Sequence, residues 1–215
     1  MKTKFGMLLM TGIVAGHLGA GIVPADVSDL PALKATAANK NHLLLVNVGE
    51  AADNATWGAA VTYVAQLFQI NVWTNSTASV SIPDLIADPD YCKKHFGEKA
   101  KVSVFLVDDA NSRDYLAAPL CWSVVNVNWI KRDKPDAAKL RDRFARMIIK
   151  GMAFASAGGA SIETRCSMHY DSFNPAGLDK TGVTLSPMTY FPMLEALKRV
   201  GGPAIVNQDE ATGVE

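Results

Sequence analysis

The chain has 215 residues, of which 49% are hydrophobic and 20% are charged, and 21 basic side chains balance 21 acidic ones. This composition excludes a disordered chain, and the balanced charge gives no reason to expect a nucleic-acid partner. The length fits one ordinary domain that buries its own core.

The N-terminus has the three parts of a secretory signal in the right order. Lys2 and Lys4 form a short positive start, residues 5–15 are mostly apolar, and Val23-Pro24-Ala25 places small residues where a signal peptidase cuts. This pattern predicts a signal peptide over residues 1–25 and a secreted or periplasmic protein. The alternative is an uncleaved anchor, which would be the chain's one contact with a membrane. The frequent glycines in this stretch weaken that alternative.

After a tether at residues 26–42, the sequence predicts a strand, a helix and a second strand. Residues 43–49 form an apolar run that ends at a glycine, which is typical of a buried strand. From Trp57 to Phe68 the large apolar residues recur at helical spacing, and residues 70–74 read as another strand. This order favours a βαβ opening.

The remaining predicted elements lead to an α/β (α+β) fold. They are a short helix and loop at 83–97, strands at 101–107 and 121–130, a long amphipathic helix from 133 to about 158, a final helix at 187–200 and a flexible tail at 204–215. We therefore expect one domain at residues 43–203. Its mixed, twisted sheet should have about four or five strands packed on long helices.

Three cysteines, Cys92, Cys121 and Cys166, are spread over the domain. An oxidising compartment would permit one disulfide and leave one thiol free, and the sequence leaves the pairing open. So sparse a set does not describe a disulfide scaffold.

The stretch Cys166-Ser167-Met168 resembles one step of the archaemetzincin pattern, H-E-x-x-H-x-x-G-x-x-H-C-x4-C-x-M-x17-C-x-x-C. The order of predicted elements upstream is also similar to that family of zinc peptidases, so the resemblance covers roughly residues 43–198 and implies a metzincin-like fold. Counting from Cys166 places the family's remaining motif positions on other residue types. The three zinc histidines fall on Lys150, Phe154 and Ala160, the general-base glutamate on Gly151, the glycine on Ala157, and the other three cysteines on Ser161, Ser186 and Thr189.

Zinc hydrolysis by the family mechanism is not expected from these residues. A helical zinc site needs imidazoles one turn apart and a carboxylate that takes a proton from metal-bound water. Lys150, Phe154 and Ala160 offer an ammonium, a phenyl ring and a methyl group, and Gly151 has no side chain. We therefore expect no metal and no other cofactor.

The strand before the long helix supplies candidates for binding a peptide. In metzincins this position is the sheet edge along which the substrate lies, and an edge can bind a chain through its backbone alone. Trp122, Asn126, Asn128 and Trp129 are the candidate contacts. The alternative is that both tryptophans belong to the core.

Other residues carry weaker signals. Asp108 and Asp109 follow a predicted strand, and Asp171 lies near His169, so these carboxylates are the catalytic candidates if the chain is a hydrolase. Cys92 and His95 have metal-like spacing without a second pair nearby.

Three functions stay open, and the residues favour the first. It is an exported, catalytically inactive metzincin-like domain that binds an extracellular peptide or glycoprotein. The second is a secreted hydrolase that acts on extracellular protein through its carboxylates, and the third is a structural envelope protein.

Overall fold

The computed structural model of the chain describes the predicted domain. The described residues are 41–88, 90–98, 100–111, 122–203 and 205, together with the backbone of 115–118. The predicted signal peptide, nearly all of the tether and most of the tail lie outside them.

The domain contains five strands and six helices within these residues. The strands are β1 (His42–Val48), β2 (Asn71–Thr77), β3 (Ala100–Val107), β4 (Tyr115–Ala118) and β5 (Trp122–Asn126). The helices are α1 (Asn54–Phe68), α2 (Ile82–Ala87), α3 (Tyr91–Phe96), α4 (Ala137–Ala155), α5 (Pro175–Leu178) and α6 (Pro187–Val200). A short 3-10 helix, Trp129–Lys131, joins β5 to the loop before α4.

The strands form one mixed sheet in the order β2-β1-β3-β5-β4. Four of them are parallel, and β4 runs antiparallel to β5. This confirms the predicted α/β class and the predicted size of the sheet.

The two faces of the sheet are covered by helices of different length. Leu43 and Leu45 of β1 pack in one core with α1 and α4, and we call this side the long-helix face. Leu44 and Val46 point the other way, into a second core with α2 and α3, and we call that side the short-helix face. This division follows from the alternation of side chains along a strand.

Local sequence explains where the long helices begin. The carboxylate of Asp53 accepts hydrogen bonds from the backbone N–H groups of Ala55 and Thr56, which caps α1. Asp136 caps α4 in the same way by accepting from the N–H of Lys139. These bonds satisfy backbone donors that a helix start otherwise leaves unpaired.

Several boundaries differ from the sequence-based expectation. The stretch predicted as one strand at 121–130 is β5 followed by the 3-10 helix, and the predicted helix at 83–97 is two short helices. The first strand, β1, begins at His42, one residue before the predicted start of the domain at residue 43. The chain also stays folded beyond residue 203, because Ile205 is buried and its carbonyl accepts a hydrogen bond from the Tyr190 hydroxyl.

Two of the three cysteines, Cys92 and Cys166, are buried. They lie in different cores, on opposite faces of the sheet. Cys121 lies outside the described residues. Among the helices that the structure describes, none combines the length and apolarity that a membrane span requires.

Candidate functional site

The position that the resemblance assigns to the first zinc histidine holds a buried lysine amine. Lys150 is fully buried in α4, and its Nζ donates to the backbone oxygen of Ser167 at 2.6 Å and to the hydroxyl of Ser172. The amine also lies over the ring of Phe173, 4.5 Å from its centroid. Loss of water around the amine lowers the pKa of Lys150 to about 7. The chain therefore places its own nitrogen where the family places a metal ligand.

A lysine amine beside a serine hydroxyl can in principle activate that serine as a nucleophile. Here Lys150 and Ser172 are both 0% exposed, so no substrate atom can reach either group. The Ser172 hydroxyl is also held by the backbone oxygen of His169. The pair therefore ties the loop of residues 167–172 to α4 and performs no chemistry in this conformation.

The other two histidine positions do not form a metal site either. Phe154, one turn beyond Lys150, is half-buried, and its ring lies 6.4 Å from the ring of Phe173. Ala160 is exposed in the loop that follows α4. The position of the general base is closed as well, because a Cβ added to Gly151 would lie 2.4 Å from Cγ1 of Val104 in β3.

Three of the four positions assigned to the family's cysteine cluster meet in this fold. The Sγ of Cys166 lies 3.6 Å from Oγ1 of Thr189 and accepts from the backbone N–H of Ser186 at 3.3 Å. The fourth, Ser161, connects through Met168: its N–H donates to the Met168 oxygen, and the Met168 N–H donates to Cys166 Sγ. All four positions are buried. This convergence supports the register that was counted from Cys166.

Neither set of residues fits zinc. A structural zinc site takes four thiolate or imidazole ligands, and the cluster has one thiol and three hydroxyls. At the three positions assigned to the zinc histidines, the side chains of Phe154 and Ala160 offer no lone pair. The amine of Lys150 is engaged by Ser167 and Ser172. Across the described ranges, no group of three or more His, Cys, Asp or Glu side chains is arranged to hold a metal ion.

The predicted peptide contacts are not at a sheet edge, and this expectation was wrong. β5 pairs with β3 on one side and β4 on the other, so it lies inside the sheet. Trp122 and Trp129 are 3% and 4% exposed, and the indole of Trp122 donates to the backbone oxygen of Leu85. Both tryptophans belong to the core.

The two asparagines of this set organise a loop of the chain itself. The Asn126 side chain is buried, accepts from the N–H of Asp109 and donates to its oxygen at 2.6 Å. Asn128 donates to the carboxylate of Asp108 at 2.8 Å. They brace the end of β3 by hydrogen bonds within the chain itself.

The sheet edge that sequence analysis missed is β4, which within the described part of the chain pairs only with β5. Ala117 of β4 pairs with Ser123 of β5, and the Ser123 hydroxyl donates to the Gly151 oxygen at 2.8 Å. The free edge of β4 therefore lies near the turn of α4 that holds Lys150. The sequence signal was weak, since β4 has four residues and no large apolar pattern.

Exposed apolar side chains surround the loop over α4. Ile162 is 75%, Tyr170 58% and Phe173 38% exposed. A backbone bridge between Ser161 and His169 joins the segments that carry Ile162 and Tyr170, and the ring of Phe173 lies near Lys150 and Phe154. We call Phe154, Ile162, Tyr170 and Phe173, three of which are aromatic, the aromatic rim; a contiguous exposed apolar patch marks a candidate binding surface.

The three candidate carboxylates do not meet. Asp108 and Asp109 follow β3 at the carboxyl end of the sheet, whereas Asp171 lies exposed beside Ser172. Burial opposes ionisation of Asp108, but hydrogen bonds from Lys131 and Asn128 outweigh it and lower the pKa of this carboxyl. Asp108 is thus a paired anion, which is poorly suited to act as a general acid.

Solved structures of zinc peptidases have this fold. Archaemetzincin from Methanopyrus kandleri superimposes with a TM-score of 0.58 and 14% identity, over 77% of this chain and 100% of the other. Archaemetzincin from Archaeoglobus fulgidus, complexed with malonate, gives 0.51 and 12% over 71% and 99%. The zinc-dependent peptidase from Methanocorpusculum labreanum gives 0.56 and 9% over 70% and 99%. No protein-family model and no curated protein sequence matches the chain.

At such identities the likeness establishes the fold and leaves the activity to the residues of this chain. The expected resemblance to archaemetzincins is thereby confirmed as a metallopeptidase-like fold.

Proposed function

We propose that this chain is an exported, catalytically inactive domain of metallopeptidase-like fold that binds an extended peptide segment, from a free peptide or a glycoprotein, along β4. The observation that carries the proposal is the contrast at one end of the sheet. The positions of the zinc ligands are filled by Lys150, Phe154 and Ala160, while among the described residues the backbone of β4 pairs on one side only.

The residue types at the zinc-ligand positions support binding without hydrolysis. Peptide-bond cleavage needs an activated nucleophile, a group that accepts its proton and a stabiliser of the oxyanion. Lys150 and Ser172 are sealed from solvent, and Gly151 packs against β3 where a carboxylate would be needed.

The geometry of β4 supports an extended ligand. A peptide that adds to a sheet edge gains backbone hydrogen bonds that do not depend on its sequence, and side-chain contacts then set its preference. The aromatic rim borders the same turn of α4. We therefore expect a preference for segments with large apolar side chains.

The first experiment separates binding from hydrolysis. Fluorescently labelled, reduced and carboxymethylated α-lactalbumin serves as an unfolded probe for the purified chain, with and without EDTA. We expect saturable anisotropy changes, an intact probe on gels and no effect of EDTA. Cleavage of the probe that EDTA abolishes would refute the proposal that the domain is catalytically inactive. Cleavage that EDTA leaves unchanged would favour a hydrolase that acts through its carboxylates.

Matched variants locate the binding surface. Phe173→Ala removes a ring of the aromatic rim, and Ile86→Ala removes an exposed apolar side chain from α2, on the opposite face of the sheet. We expect the first to weaken binding of the probe and the second to leave it unchanged. Equal affinities would place the peptide elsewhere. Circular dichroism confirms that each variant is folded.

Export rests on the N-terminal sequence. Mass spectrometry of the protein recovered outside the cytoplasm should find a chain that begins near Asp26. Recovery of the chain with residues 1–25 intact, or from the cytoplasm alone, would contradict this part of the proposal.

A further inference from the structure

The edge of the sheet opposite β4 is formed by β2, which is long and regular. Among the described residues β2 pairs with β1 alone, and the register is constant from Asn71 to Thr77, without a bulge. A strand of seven residues spans about 23 Å. β4 has only four residues. Of the two sheet edges, β2 therefore offers the longer backbone to an added strand.

One hydrogen bond establishes which backbone groups of β2 point away from β1. The N–H of Gly49, the residue after β1, donates to the backbone oxygen of Thr77 at 2.8 Å, so the backbone groups of Thr77 point toward β1. The backbone groups of successive residues in a strand point to alternate sides. The N–H and C=O groups of Val72, Thr74 and Ser76 therefore point outward, toward the open side of the sheet.

The side chains of β2 do not oppose the addition of a strand. Natural edge strands are commonly protected by charged side chains, prolines, bulges or short length. The sequence of β2, Asn-Val-Trp-Thr-Asn-Ser-Thr, has no charged residue and no proline. Thr74, Asn75 and Ser76 are exposed, and each can both donate and accept a hydrogen bond through its side chain. Such a strand can face a copy of itself without repulsion between like charges.

An antiparallel pair of β2 strands fits these groups when a two-fold axis passes at Thr74. Thr74 then lies opposite its own counterpart, and Val72 lies opposite Ser76. All the outward backbone groups of β2 find partners in this register, because these residues form the hydrogen-bonded pairs of an antiparallel ladder. The two threonine side chains meet on one face of the sheet, which is a favourable cross-strand pair.

We propose that β2 binds a second copy of this chain, strand against strand, so that two sheets join into one around a two-fold axis. A second copy is the partner that the strand itself favours, because it supplies an uncharged strand of equal length in a self-complementary register. The two β4 edges lie at the far ends of the joined sheet, so the interface leaves both of them uncovered. The inference does not depend on peptide binding at β4.

The oligomeric state of the purified chain is the first test. Sedimentation velocity at increasing concentration should show a reversible change from the mass of one chain to the mass of two. A single chain at every concentration up to about 0.2 mM, which would place the Kd above that value, would overturn the proposal. Growth into larger, open assemblies would overturn the two-fold arrangement.

Matched variants test whether β2 is the interface. Thr74→Lys places two ammonium groups opposite each other at the axis, and Thr62→Lys makes the same change at an exposed threonine of α1. We expect the first to raise the dimer Kd about tenfold or more and the second to leave it unchanged. Equal effects would overturn the location. Circular dichroism confirms that each variant is folded.

A mixture of variants tests the register. Thr74→Lys and Thr74→Glu should each dimerise poorly alone, whereas an equal mixture should form dimers that contain one chain of each kind. Only a residue at or near the axis meets its own counterpart, so recovery in the mixture is specific to this position. A mixture that dimerises no better than either variant alone would overturn the register.

Hydrogen exchange provides a readout that requires no variant. The outward N–H groups of Val72, Thr74 and Ser76 should become protected as the concentration of the parent chain rises. The N–H groups of Trp73 and Asn75 point toward β1 and should change less. Dimerisation without added protection at the three outward amides would overturn the proposal.

Discussion

The two faces of the sheet show two ways of covering the same strands. The long-helix face lies under α1 and α4, whose 15 and 19 residues span about 22 and 28 Å, as long as the strands themselves. The short-helix face has two six-residue helices and a cavity. Counting only the described residues, the first face is closed along its length, and the second is open at one end.

This difference separates stability from binding within one small domain. A closed core gains the full transfer free energy of its apolar side chains and tolerates cavities poorly. An open end gives up some burial, since Val48 and Val124 are 8% and 7% exposed, and in return leaves room for a ligand. The following predictions test that division, beginning with the largest effect.

Neighbouring leucines of β1 give the most direct comparison. Leu45 is 0% exposed in the long-helix core and Leu44 is 2% exposed in the short-helix core. We expect Leu45→Ala to lower the free energy of unfolding by about 4–5 kcal/mol and Leu44→Ala by about 2–3 kcal/mol, because the two short helices over Leu44 can move into the space more readily than α1 and α4 can. Denaturant unfolding measures both. A larger loss for Leu44→Ala would invert the comparison.

A pair of glycines tests how closely α4 packs on the sheet. A Cβ at Gly151 would meet Val104 at 2.4 Å and Val125 at 3.0 Å, whereas a Cβ at Gly58 of α1 meets nothing within 4 Å. We expect Gly151→Ala to destabilise the fold by about 1–3 kcal/mol through overpacking. Gly58→Ala is the control and should stabilise it by up to about 1 kcal/mol, since alanine favours a helix. Stabilisation by both changes would show that α4 lies farther from the sheet.

The pKa of Lys150 tests whether water is excluded behind α4. The folded chain releases this proton near pH 7 and the unfolded chain near pH 10.5, so the unfolded state binds more protons between these values. Stability should therefore rise with pH in this window, by up to about 1.4 kcal/mol per pH unit. Thermal or denaturant unfolding from pH 7 to 10 measures the slope. The slope should disappear in Lys150→Met, and an unchanged slope in that variant would assign it to another group.

The smallest effect concerns helix caps. Asp136 caps α4 with a hydrogen bond to the N–H of Lys139 at 2.8 Å, whereas Asp90 at the start of α3 makes no such bond. Asp136→Ala should cost about 1 kcal/mol of stability, and Asp90→Ala less than about 0.5 kcal/mol. Equal losses of stability in the two variants would indicate that the negative charge near the start of the helix, rather than the capping hydrogen bond, accounts for both losses.

Periodic segments were predictable because burial leaves a pattern in the sequence. β1, α1, β3 and α4 are long enough to show the spacing of a strand or a helix, and α6 ends at Gly201, whose positive φ of 65° suits a glycine. β4 has four residues and is defined by its backbone pairing with β5, which no local pattern reports.

Position within the sheet was harder to predict than the strand itself. The nearly continuous apolar run of β5 is typical of a strand buried on both faces, and β5 is indeed an inner strand. The resemblance to metzincins had predicted that β5 lies at the edge of the sheet. The apolar run of β5 indicated its inner position more accurately.

The candidate site was predictable in its positions and not in its contacts. Counting from Cys166 located Lys150 and Phe154, because spacing along a helix fixes which residues share a turn. The partners of Lys150 are a backbone oxygen of Ser167 and a hydroxyl of Ser172, contributed by a loop that returns to α4. Every residue has such an oxygen, so the sequence cannot single this one out.

The lysine at the position of the first zinc histidine has a consequence for how the fold responds to its surroundings. A fold completed by a bound metal follows mass action, and while its site stays nearly full each tenfold fall in free metal removes about 1.4 kcal/mol of its stability. The nitrogen of Lys150 is joined to the chain by covalent bonds, so dilution and chelators cannot withdraw it. The loop of residues 167–172 is held by a partner that is made with the polypeptide. Scarcity of trace metals leaves that contact unaffected.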